Sequence, residues 1–419
     1  MAKEWNKLDN AAKIFPAADG GADSQVFRVS CELTEKIDAQ ALQAALDETI
    51  EEFDVYRYVM LRGFFWYFLE RSELNPVVRE EYKPPCAALY RGDGRSLMFE
   101  VTYFENRINL EVYHVLSDGT GAMNFLRTLV AKYLCAKYNL GDISVDYDAS
   151  AAQMKADSFS KYYSDTKKRA KNKFKKACRL KGARLPENRI GIITGRVSAK
   201  EVLALAHERG ITLTAFLGAC LMEAIGEELS VRAKRRDVVI AVPVNLRKYF
   251  PSESARNFFL LVFAAYNFSK RSGEFSDIAA EISRQMKESL TEEKLAESIN
   301  SYSAVEHNFF AKITPLRIKD IVLGHAYRIG MLRSTATVSN IGAVKLPKEL
   351  GGYIRGFDFF TGTNKIQMCL CSYGDVLSID FSAPFVSCDV QRRFFRKLTS
   401  LGVGVELFSN INVGEGKSK

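Results

Sequence analysis

The stretch Ile108–Tyr138 constrains the fold more than any other part of the chain. Its first part, Ile108-Asn-Leu-Glu-Val-Tyr-His114, alternates apolar and polar residues. Period two predicts a half-buried strand with Ile108, Leu110, Val112 and His114 on one face. Its second part repeats Ala122, Phe125, Leu126, Leu129, Val130 and Tyr133 at helical spacing, which predicts an amphipathic helix over Ala122–Tyr138. The residues between them, Val115 to Gly121, leave room only for a tight strand-to-helix turn holding Asp118.

The same stretch carries the candidate chemistry, because His114, Asp118 and Gly119 make up His-x-x-x-Asp-Gly. A histidine titrates near neutrality and can take a proton from a hydroxyl, amine or thiol once its orientation and tautomer are set. Gly119 and Gly121 are expected to let the turn adopt backbone angles closed to other residues and to leave space for a substrate. The competing reading is a core histidine bonded to backbone, with Asp118 acting only as a helix cap.

Motif and setting resemble the acyltransferase superfamily that includes chloramphenicol acetyltransferase, nonribosomal-peptide condensation domains, plant BAHD acyltransferases and alcohol acetyltransferases. The resemblance implies an α/β protein of two lobes in the chloramphenicol-acetyltransferase-like fold, with mixed sheets and a channel between the lobes. It implies His114 as general base, and Asp118 as a loop-shaping residue held by an arginine through two hydrogen bonds. Asn245-Leu246-Arg247 is similar to the place where the family supplies that arginine. Asn257-Phe258 is similar to the Gly-Asn-Phe of condensation domains, with Arg256 where the glycine would be. Thr337-Val-Ser-Asn-Ile-Gly342 looks like the strand opposite the histidine, which makes Ser339, or Asn340 as its substitute, the expected oxyanion donor. Condensation domains usually carry a second histidine before the catalytic one. Tyr113 stands there, which favours the alcohol-acetyltransferase-like branch.

The activity that the resemblance implies is transfer of an acyl group, acetyl in the simplest case, from acyl-CoA (acetyl-CoA) to a hydroxyl or amine of a small acceptor. The alternatives are a condensation-type enzyme fed by an acyl carrier protein and a non-catalytic binding protein of the same fold. No metal is expected: His207, His307 and His325 fall on predicted helices without acidic partners at ligand spacing and read as structural or surface residues.

A chain of 419 residues exceeds one ordinary domain. The expected division is an N-terminal lobe over 1–155, a basic connector over 156–188 and a C-terminal lobe over 189–419. Strand-then-helix order recurs at Phe27–Ile50 and Ile190–Gly210, a repeat of architecture without sequence identity. The net charge of +9 is concentrated between Lys161 and Arg184, where eleven Lys or Arg face one acid. That run reads as a mobile linker between lobes, or as a patch for the phosphates of RNA or coenzyme A. The linker reading is preferred, so no nucleic-acid partner is expected. Phe258–Tyr266 is too short to span a bilayer, so no transmembrane segment is expected. The eight cysteines include no Cys-x-x-Cys, as in a reduced, cytoplasmic protein. A monomer is expected.

Overall fold

The computed structural model describes residues 4–18, 23–90, 96–145, 147, 149–164, 175–308 and 312–411. Its strands are β1 (Trp5–Lys7), β2 (Val26–Leu33), β3 (Tyr58–Arg62), β4 (Tyr67–Arg71), β5 (Arg79–Glu80), β6 (Phe99–Phe104), β7 (Arg107–Tyr113), β8 (Gly191–Ser198), β9 (Val238–Asn245), β10 (Phe259–Tyr266), β11 (Ala336–Ala343), β12 (Ile354–Thr361), β13 (Ile366–Tyr373), β14 (Val376–Ala383) and β15 (Glu406–Ser409). The helices are α1 (Phe15–Ala18), α2 (Ala39–Glu52), α3 (Gly119–Tyr138), α4 (Ala151–Lys155), α5 (Ser158–Tyr162), α6 (Ala199–Glu208), α7 (Leu213–Glu228), α8 (Phe275–Ser289), α9 (Glu292–His307), α10 (Leu316–Met331) and α11 (Asp389–Ser400).

They form a two-lobed α/β fold around three sheets. One lobe holds a five-stranded mixed sheet, β12-β2-β7-β6-β5, and the other a seven-stranded mixed sheet, β10-β9-β11-β13-β14-β8-β15. A small antiparallel sheet, β1-β4-β3, stands apart from both. The sequence reading missed β1, β3 and β15: β1 and β15 bury none of their side chains fully, and in β3 the buried residues Tyr58, Val59 and Met60 are consecutive and leave no alternation.

The strand Ile108–Tyr113 is present as β7, between β2 and β6, but it is buried on both faces. Ile108, Leu110 and Val112 lie in the hydrophobic core, while Asn109 and Glu111 are just as inaccessible. Glu111 is tolerated because Arg28 donates to it through Nε and Nη2, at 3.0 and 2.8 Å, and the Cys86 backbone N–H also donates to it. A buried carboxylate needs such partners, since desolvation without them costs several kcal/mol. Alternation alone does not distinguish this ion network from solvent.

The helix stripes are where periodicity places them. Asp38 accepts from the backbone N–H groups of Gln40 and Ala41 to start α2, whose Leu42, Ala45, Leu46, Thr49 and Ile50 are buried. At Ser198 only half of a capping box forms, its side chain accepting from Glu201 N–H. The reciprocal box occurs instead at Ser150 and Gln153. All eight cysteines are free, and Cys369 and Cys371 are buried side by side in the core.

Of the connector, 165–174 lies outside the described residues. Its later part is docked: Ala177 N–H donates to Leu332 O, Cys178 N–H donates to Asp237 O, and both residues are buried. The mobile-linker reading therefore does not hold for 177–184, because two backbone bonds and two buried side chains anchor it.

Chain order does not decide lobe membership for β12. It leaves the seven-stranded sheet and pairs antiparallel with β2 at the edge of the five-stranded sheet. Beneath this crossing lie two buried acids. Arg196 contacts Glu32 at 2.6 Å and Asp358 at 3.4 Å. Asp380 accepts from Thr194 Oγ1 at 2.5 Å and from Phe359 N–H at 2.9 Å. Burial pushes the Asp380 carboxyl well above its usual range, and the neighbouring Asp358 adds to the shift. The stability of the protonated form is fully present below the unfolded value of 3.8 and is lost as pH rises through the raised folded value. Asp380→Asn, which mimics the protonated acid, is therefore expected to match or exceed the parent in Tm at pH 8, with the advantage shrinking toward pH 5. A large loss of Tm at pH 8 would show that Asp380 is held as the anion.

Candidate active site

His114 follows the last residue of β7, and its backbone N–H donates to Gln25 O at 2.8 Å, extending the strand pairing by one step. The imidazole is packed among aromatic rings from three parts of the chain. Phe15 of α1 stacks on it at 4.7 Å between centroids, Phe27 of β2 meets it edge-on at 5.0 Å, and Phe259 of β10 lies at 5.4 Å. Loss of water around the ring disfavours imidazolium and lowers the histidine pKa from its ordinary value of 6.5, against the opposing charge of Asp118. The ring is thus neutral at pH 7.

Asn257 sets its tautomer. The amide nitrogen of Asn257 donates to the His114 carbonyl at 2.9 Å and to Asp9 Oδ2 at 3.2 Å. The His114 carbonyl can only accept, so the Asn257 amide oxygen must face the ring, where it lies 3.0 Å from Nδ1. Nδ1 therefore carries the proton and Nε2 the lone pair. Asp9 is fully buried, with its carboxyl pushed up to about 6 by desolvation against the nearby charge of Arg256. It also caps the first turn after it by accepting from Ala12 N–H.

The turn after His114 is held by Asp118, which is both a cap and an ion-pair partner. Oδ1 accepts from Gly121 N–H at 3.0 Å, while Oδ2 accepts from Phe258 N–H at 2.9 Å and from Arg247 Nη1 at 2.7 Å. The expected pairing is thus present, but through one guanidinium nitrogen instead of two. Nη1 also donates to Asn245 Oδ1 at 3.2 Å, while the other N–H groups of Arg247 go to backbone: Nε and Nη2 donate to Ser254 O, and Nη2 also to Arg256 O at 2.6 Å. Arg247 gathers the 254–256 loop and ties it to the turn.

The glycines serve space and not backbone angle, since neither Gly119 nor Gly121 has positive φ. A Cβ on Gly121 would sit 2.2 Å from Ala255 O and 2.3 Å from Ser117 Oγ. On Gly119 it would press on Ile341 Cδ1 at 3.3 Å. That last contact brings the end of β11 against the turn, although the two are far apart in sequence. On β11, Asn340 is already engaged: its amide donates to Thr214 Oγ1 at 3.0 Å and its oxygen accepts from Gly342 N–H. It is therefore a poor substitute donor. Ser339, one residue earlier and paired with Cys369, is half-buried.

The structure thus joins His114, Asp118, Gly119 and Arg247 in one cluster with β11 alongside. Asn257, Asp9, Phe15 and Phe27 were not read as site residues. Asn257 had a signal in the Asn-Phe pair, whereas nothing in the sequence marks Asp9, which reaches the site only through the path of the N-terminal segment. Among the described residues no group of His, Cys, Asp or Glu could hold a metal. The exposed His207 and His325 take no part in the cluster.

A double-mutant cycle tests the junction. Asp118→Asn and Arg247→Gln are expected to be non-additive by about 1–3 kcal/mol in unfolding free energy. Arg247→Gln should cost more, because it also releases the Ser254 and Arg256 carbonyls. Additive losses would separate the two residues.

The sequence matches the model of the alcohol acetyltransferase family over residues 159–374, a span that includes Arg247, Asn257 and Ser339 but not His114. No curated protein matches it. Solved structures match along nearly its whole length. Polyketide synthase associated protein 5 from Mycobacterium tuberculosis is 14% identical with a TM-score of 0.62, over 95% of this chain and 98% of that one. The first condensation domain of the calcium-dependent antibiotic synthetase, in complex with a substrate analogue, is 15% identical with a TM-score of 0.63, over 95% and 96%. A variant of the starter condensation domain of rhizomide synthetase, in complex with C8-CoA and Leu-SNAC, is 13% identical with a TM-score of 0.61, over 95% and 94%. At such identities the likeness is one of fold, and that fold is the two-lobed arrangement of condensation domains. With a family match over more than half its residues, the chain belongs to the alcohol acetyltransferase family.

Proposed function

We propose that the protein transfers an acyl group from a coenzyme A thioester to the hydroxyl or amine of a small acceptor, with His114 as general base. The observation that carries this reading is the Asn257 amide, which holds a neutral imidazole with its proton on Nδ1 and its lone pair on Nε2. A merely structural histidine has no need of a dictated tautomer, whereas a base does.

In the proposed reaction Nε2 takes the acceptor's proton as the acceptor oxygen or nitrogen attacks the thioester carbonyl. The carbonyl oxygen becomes an oxyanion, for which the Ser339 hydroxyl is the candidate donor because the Asn340 amide is already used. Collapse of the tetrahedral intermediate breaks the carbon–sulfur bond, and the departing thiolate recovers the proton from imidazolium. Asp118 stays out of proton transfer, because its oxygens are taken up by Gly121, Phe258 and Arg247. Support for a coenzyme A donor comes from the family match and from the complex of the rhizomide synthetase domain with C8-CoA.

The test is thiol release from acyl-CoA over a panel of alcohols and amines. His114→Ala is expected to fold and to lose about 10²–10⁴-fold in turnover, and near-normal turnover would remove the histidine from the mechanism. In the parent, the acid limb of kcat/KM should lie below pH 6.5, because the folded histidine pKa is lowered from 6.5 and only the neutral ring is active. Asn257→Asp, which sets a carboxylate against Nδ1, should move that limb up by about a unit or more. An unmoved limb would mean that Asn257 does not set the state of the base.

A further inference from the structure

A cavity of about 710 Å³ opens between α10, the docked end of the connector, and the turns before β11 and β13. This is the size of a cofactor or small-molecule site. Four cationic side chains line it, Arg179, Arg184, Arg328 and Lys365, together with His325, and no carboxylate does so among the described residues. Elsewhere the chain pairs its surface cations freely, as at Arg284 with Glu281 and Glu288 and at Arg393 with Glu227. Among the described residues none of the four forms an ion pair, although the charge of the buried Asp23 acts on Lys365, and Arg184 uses its guanidinium on Asn364 and the face of Phe385. Lys365 donates to Ser334 Oγ, and desolvation pushes its ammonium down to about 8. Four positive charges held at the wall of a cavity, with Asp23 offsetting only the one on Lys365, are a standing cost that a bound anion would relieve.

The cavity also reaches the histidine. Ala17 and Ala18 line it from α1, the helix whose Phe15 stacks on His114. Tyr327 lines it from α10 and accepts from Gln25 Nε2 at 2.9 Å, while Gln25 O receives the His114 backbone N–H. One wall is thus shared with the framework that positions the base.

We propose that this cavity binds the nucleotide end of the thioester donor, with Arg179, Arg184, Arg328 and Lys365 holding its 3′-phosphate and diphosphate groups. The proposal rests on the coenzyme A reading of the donor. Charge count separates coenzyme A from the other thioester carrier: the free coenzyme presents a phosphomonoester and a diphosphate, whereas a protein-bound pantetheine arm presents a single phosphodiester. Four cations suit the former. The side chains of Leu180, Met331 and Phe385 supply an apolar wall beside the charges, as an adenine ring requires.

Calorimetric titration of the full chain with adenosine 3′,5′-bisphosphate, and separately with inorganic phosphate, tests the site without any need for turnover. The bisphosphate is expected to bind in a salt-dependent manner, and Arg179→Gln with Arg328→Gln, both exposed and away from the core, should weaken it about tenfold or more. In kinetics the same pair should raise KM for acyl-CoA while leaving kcat, and the rate with an acyl-pantetheine, near the parent values. Unchanged bisphosphate affinity in the double variant overturns the site. So does inorganic phosphate binding as tightly as the bisphosphate, which would mark a simple anion hole. Bisphosphate binding that the variants abolish, with no thiol released to any acceptor, would uphold the cavity and refute the transferase reading. Normal thiol release with an unaffected KM would do the reverse.

Discussion

Everything at the candidate site depends on one carboxylate, Asp118, that receives hydrogen bonds from both halves of the chain. Gly121 N–H belongs to its own helix, while Phe258 N–H and Arg247 Nη1 come from the loop that joins β9 to β10. Arg247 then binds the Ser254 and Arg256 carbonyls of that loop. The pair is largely withdrawn from water, with side-chain exposures of 12% and 7%, so neither charge can be left without the other at small cost. Fixing this loop is what carries Asn257 to the imidazole, one residue before Phe258. A residue remote from proton transfer thereby decides which nitrogen of His114 is basic.

The same loop is held from its other side by the N-terminal segment. Arg256 Nη2 donates to Lys7 O at 2.7 Å, and Asn257 donates to the buried Asp9. Phe15, a few residues on, covers the ring. The opening residues of the chain are thus part of the wall of the site, and their burial explains how a carboxyl as desolvated as Asp9 is retained: Ala12 N–H, Asn257 and the charge of Arg256 all stabilise it. Below, β12 stitches the two large sheets together, so the lobes do not meet as independent domains. Arg196 bridges Glu32 of one sheet and Asp358 of the crossing strand.

What could be read from residues alone was whatever depends on local repetition. Period two placed β7, and the 3.6-residue stripe placed α3, because side-chain direction in a regular element follows from spacing. It did not reveal that Asn109 and Glu111 are buried, since a polar residue facing water and one facing Arg28 alternate alike. The short strand β1 buries too little to leave a pattern, and β3 buries three residues in a row, Tyr58 to Met60, and so shows no alternation. Arg247 was legible through its resemblance to a family landmark, and Asn257 was legible as a landmark without a role. The basic connector was read by composition, which counts charges but not the backbone bonds that dock Ala177 and Cys178.

By itself, then, the sequence determined the strand-turn-helix that carries His114 and Asp118, because spacing acts within a few residues; the two-lobed α/β class and the candidate partner Arg247 came from the resemblance of short motifs to a known family. Tertiary structure alone decided that Asn257, held in turn by Asp9, meets the histidine, that Gly121 is required for closeness to Ala255 and not for its backbone angle, that Asn340 is occupied by Thr214, and that four cations converge on one cavity. Those are contacts between segments separated by tens to hundreds of residues. Their existence is set by how loops close and lobes pack, which no local pattern records.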